Sequence, residues 1–109
     1  MAYDERLAAR LREVLTAEPG LSEKRMFGGL AFLINGNMAV SASGQGGMLL
    51  RCDPAQTQTL ITQPRADRFR MRGREMNGWL HIDTDGMTDA QLRRWVSHGV
   101  DCARSLPAK

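Results

Sequence analysis

Residues 25–43 read RMFGGLAFLINGNMAVSAS, and this stretch decides the fold. Asn35-Gly36 separates two apolar runs, 26–34 and 38–43. Asn-Gly supplies the positive φ angles that tight hairpin turns require, so the two runs are predicted to pair as antiparallel strands. The uncharged region extends from Met26 to Leu50, long enough to raise the question of a membrane span. Its six glycines, with Asn35, Asn37, Ser41, Ser43 and Gln45, exclude one, because a spanning helix needs about 20 predominantly apolar residues.

Working outward, residues 3–18 are predicted to be an amphipathic helix. Leu7, Leu11, Val14 and Leu15 recur on one helical face, and Pro19-Gly20 ends it. After the hairpin, Gly44-Gln45-Gly46-Gly47 is a loop and residues 48–52 a third strand. Asp53 and Pro54 open a short second helix that Pro64 stops, since Asp caps free N–H groups and Pro is tolerated in the first turn. Residues 68–72 and 77–83 are predicted to be two further strands around Gly73. Thr88 and Gln91 form a capping box for the last helix, whose stripe is Leu92, Trp95, Gly99, Cys102 and Leu106. The expected fold is an α+β two-layer sandwich of order α-β-β-β-α-β-β-α, its five-stranded, mainly antiparallel sheet packed by helices. At 109 residues this is one domain, spanning 1–109.

Charge is unevenly placed. Residues 65–74, RADRFRMRGR, carry five arginines and one aspartate, while the remainder of the chain is close to neutral within a total of +3. A period of two sets Arg68, Arg70 and Arg72 on one strand face and sends Phe69 and Met71 inward. Such a row suits phosphates, carboxylates or an acidic protein surface. It equally suits a sheet edge protected from pairing with other chains. Arg65, Arg68, Arg70, Arg72 and Arg74, with Lys24 and Arg25, are therefore the candidates for nucleic-acid or anion binding.

Catalytic patterns are missing. Gly28-Gly29 and the 44–47 loop lack the strand-before, helix-after context of a phosphate loop. His81, His98, Cys52 and Cys102 have no metal-ligand spacing, and Asp83 and Asp85 sit where turn chemistry wants them. No metal or cofactor is expected. A deep pocket joining His81 to two or more of the arginines would instead point to an enzyme. Residues 4–13, DERLAARLRE, are charged where a signal peptide would be apolar, so the expected setting is the cytoplasm, with both cysteines reduced.

At KRMFGGLAFLINGNMAV (24–40), FRMRGREMNGWLHID (69–83) and ARSLP (103–107), the chain resembles the N-terminal domain of the TfoX/Sxy family. The resemblance runs from about Leu7 to Leu106 and is most specific at residues 26–29 and the hairpin that follows. It implies a secretion-chaperone-like two-layer sandwich. Two-domain members are regulators of natural competence that work with the cyclic-AMP receptor protein at certain promoters. The present sequence looks like the N-terminal domain standing alone. The resemblance carries no catalytic and no DNA-contact residue onto it. What it implies is a non-enzymatic regulatory adaptor that binds a protein partner, either an unidentified protein or a second copy of the chain. The alternative is direct nucleic-acid binding through residues 65–74.

Overall fold

The computed structural model describes residues 3–26, 28–44, 46–71 and 73–108. Helix α1 (Glu5–Leu15) begins at Asp4, whose carboxylate accepts from the N–H groups of Arg6 and Leu7. Four strands follow: β1 (Leu21–Met26), β2 (Gly29–Ile34), β3 (Asn37–Ala42) and β4 (Met48–Arg51). A single 3-10 turn (Pro54–Gln56), capped by Asp53, runs into the one-turn helix α2 (Thr57–Leu60). Strands β5 (Ala66–Met71) and β6 (Arg74–Ile82) form a hairpin, and α3 (Asp89–Ser105) closes the chain with the predicted Thr88–Gln91 capping box.

The sheet therefore has six strands rather than five. The apolar run 26–34 is not one strand. It breaks between Met26 and Gly29, where Gly28 takes φ +75°, and the preceding charged residues Glu23, Lys24 and Arg25 become part of β1. Their polarity hid the strand, but β1 is an edge strand whose four central residues are exposed. The predicted turn is where the sequence places it, with φ +53° at Asn35 and +82° at Gly36.

All pairings are antiparallel, in the order β1-β2-β3-β4-β6-β5. After β4 the chain passes through α2 to the far edge as β5, then returns as β6 to pair with β4. The main core lies between the sheet and the helices. Leu7, Leu11 and Leu15 of α1, Leu60 of α2, and Leu92, Trp95, Val96 and Val100 of α3 meet Phe32, Ile34, Val40, Leu50, Leu80 and Ile82 from the sheet. Burying each large side chain stabilises the fold by about 1.5–3 kcal/mol. On α3 the expected Leu92, Trp95 and Gly99 are buried and are joined by Val96, Val100 and Ala103, whereas Cys102 is only half-buried and Leu106 is an exposed C-cap residue. Gly99 lies against Ala39 of β3, so the helix sits close to the sheet there and the residues beside Gly99 on that helix face are buried with it.

Arg12 clamps Glu23 on β1 with two hydrogen bonds of 2.8 and 2.9 Å. That contact lowers the Glu23 pKa below the usual carboxylate value. Among the described residues no helix is long and apolar enough to cross a membrane.

Candidate interaction surface

The arginines of residues 65–74 do not form one row. Arg65 sits before β5 in a left-handed conformation, φ +77°, and its guanidinium donates to the main-chain carbonyls of Asp83 (3.2 Å) and Asp85. Arg68 lies opposite Leu80, whose side chain enters the main core, so Arg68 faces the helices and not the open side. There it donates to Asn77 Oδ1 at 2.9 Å and to Gln58 Oε1. The β5–β6 register then shifts between Arg68 and Arg70, where one residue of β5, Phe69, stands against four of β6, residues 76–79. Arg70, opposite Glu75, and Arg74, opposite Met71, are exposed. Arg72 and the side chain of Met71 lie outside the described residues. On the far edge, Lys24 and Arg25 fall on opposite faces of β1.

Phe69 does not enter the main core. It packs with Met26, Leu33 and Trp79 around the buried trio Ala31, Met38 and Leu49. This second cluster lies on the sheet face opposite the helices, and no helical side chain among the described residues belongs to it. Strand alternation puts Lys24, Ala31, Ser41, Leu49, His81 and Asp67 side by side on that face. They are paired in succession across all six strands. Arg51, opposite Trp79, lays its guanidinium over the indole at 4.6 Å, a cation–π contact. The face is thus apolar at its centre and charged at its ends.

A depression of about 280 Å³ on the β5 side is lined by Asp67, Arg68, Phe69, Arg70 and His81. It is a broad, solvent-open hollow and not a deep pocket, and the Arg68 guanidinium points away from it to Asn77 and Gln58 on the other face. The Nε2–H of His81 donates to the Gly46 carbonyl at 2.8 Å. Asp83 serves the turn, accepting from the Asp85 N–H at 3.0 Å. Among the described residues no group of three His, Cys, Asp or Glu side chains is placed to hold a metal ion. Burial raises the pKa of both cysteines.

Reading residues 65–74 alone missed Leu33, Leu49, Arg51 and Trp79. Their signal was present in the period-two pairs Leu49/Arg51 and Trp79/His81, but which member faces the helices depends on the opposite layer.

The model of the TfoX N-terminal domain matches residues 13–103, most of the chain. The chain belongs to the TfoX N-terminal domain family. In this TfoX N-terminal domain the matched span starts within α1 and ends within α3, so it contains the whole sheet and both of its faces. No curated protein and no solved structure matches the chain significantly.

Proposed function

We propose that this TfoX N-terminal domain is a non-catalytic, cytoplasmic regulatory adaptor that docks onto protein through its helix-free sheet face and acts in transcription control of the competence type. The single observation that carries the reading is the second apolar cluster. Among the described residues, Ala31, Met38 and Leu49 are buried by side chains of their own sheet, and Met26, Leu33, Phe69 and Trp79 stay partly open above them. Partly open apolar side chains grouped on a sheet face that no helix covers are a common mark of a protein-binding site. Its methionines and leucines suit an adaptable protein contact better than base stacking, which needs open aromatic faces. Family membership supports the regulatory part of the reading.

The test is genetic. Leu33→Glu and Trp79→Glu are introduced at the chromosomal locus, with folding of each purified variant checked by circular dichroism. Transcript profiles that reproduce a deletion of the gene are expected. Folded face variants with wild-type profiles would reject docking through this face.

A further inference from the structure

We propose that the occupant of the helix-free face is a second copy of this chain, packed sheet against sheet about a two-fold axis running along the strands between β3 and β4. This rests on the reading of the face as a docking surface and names what covers it.

The argument comes from the charges at the ends of the cross-strand row. Lys24 stands on edge strand β1 and Asp67 on edge strand β5, with Ala31, Ser41, Leu49 and His81 between them. Five strand spacings of about 4.8 Å separate the two ends by about 24 Å. Asp67 accepts only the Arg68 N–H, at 2.8 Å, and neither Lys24 nor Asp67 forms an ion pair among the described residues.

A two-fold axis along the strands exchanges the two edges. It sets Lys24 of each copy over Asp67 of the other, so both charges are answered twice in one isologous interface. The other in-plane axis, across the strands, would set Lys24 over Lys24 and Asp67 over Asp67. Charge therefore selects one of the two ways in which the faces can meet. Aligned sheets pack about 10 Å apart with interdigitated side chains, and Met26, Leu33, Phe69 and Trp79, partly open over the buried Ala31, Met38 and Leu49, supply that layer here. Arg51, near the axis, is already drawn over Trp79 toward β6 and meets its like on the second copy with its charge resting on an aromatic face. Nucleic acid fits less well, because Arg51 already covers the Trp79 ring that a base would stack on.

The test is sedimentation equilibrium of the full chain at concentrations up to about 100 µM, where micromolar self-association is populated. It covers the wild type, Lys24→Asp, Asp67→Lys and the double exchange. A wild-type dimer is expected. Each single reversal sets two like-charge contacts in the interface and should weaken it by about tenfold or more. The double exchange restores the pairing and should return the affinity to within about threefold of wild type. All four proteins keep the fold by circular dichroism, because both positions are exposed. A monomeric wild type, single variants that dimerise like wild type, or a double variant no better than the singles would each overturn the proposal. A monomer that still needs Leu33 and Trp79 for its transcript effect would separate this failure from that of the docking reading.

Discussion

Gly99 of α3 lies directly against the main chain of Ala39 in β3. A Cβ built on Gly99 would stand 2.4 Å from the Ala39 carbonyl oxygen and 2.9 Å from Leu50 Cδ1. The helix can approach the middle of the sheet this closely only because no side chain intervenes. Gly99→Ala gains helix propensity of about 1 kcal/mol, but the carbonyl is backbone and cannot swing aside. A net loss of about 1–3 kcal/mol is expected, read as a lower urea midpoint at unchanged slope.

Thr57 is buried, and its Oγ1 accepts the Gly78 N–H at 2.9 Å while lying 3.6 Å from Cys52 Sγ. Thr57→Val keeps the shape and strands a buried donor, which costs about 1–3 kcal/mol. Thr57→Ser keeps the acceptor and should lie closer to wild type. Equal losses in the two variants by denaturant unfolding would show that the methyl group, not the hydroxyl, matters.

The two thiols should separate kinetically. Cys52 is buried and Cys102 half-buried, and burial raises both pKa values. With an aromatic disulfide reagent at neutral pH, Cys102 is expected to react first and Cys52 only as fast as the fold opens. Raised folded-state pKa values also give the sign of the pH dependence. Their contribution to stability is fully present below the unfolded thiol value of about 8.5 and is lost as pH rises through the folded values. The urea midpoint should therefore fall above that pH, and fall less in Cys52→Ala.

Arg65 and Arg68 are anchored by carbonyl and amide oxygens, so they serve the structure of the β5 edge. Arg65→Ala and Arg68→Ala are expected to lower the thermal midpoint by several degrees each, for about 1 kcal/mol lost. They should leave any affinity for duplex DNA unchanged in a fluorescence-anisotropy salt series. A salt slope that becomes shallower by about 0.9 in either variant would instead mean that its guanidinium meets phosphate.

Local chemistry made much of this fold legible. Asn35-Gly36, the Asp4 and Asp53 caps and the Thr88–Gln91 box mark where elements begin and turn, because each satisfies or frees backbone groups within a few residues. Strand β1 escaped notice because an edge strand need not be apolar, and its pairing partner supplies the hydrogen bonds. The period-two pattern of residues 68–72 could not tell which face meets the helices, and the pairing of Arg68 with Leu80 turns Arg68 to the helix side and Phe69 to the open side.

By itself the sequence determined the α+β class, the hairpin turn, the helix caps and membership of the TfoX N-terminal domain family. These depend on interactions between residues close in the chain, or on patterns carried by the chain itself. Only the tertiary structure decided the strand order, the face to which Phe69 and Arg68 belong, and the alignment of Lys24 with Asp67 across six strands. A strand has two equivalent faces until another layer covers one. Here the helices cover one face, and that choice assigns every alternating side chain either to the core or to the open surface.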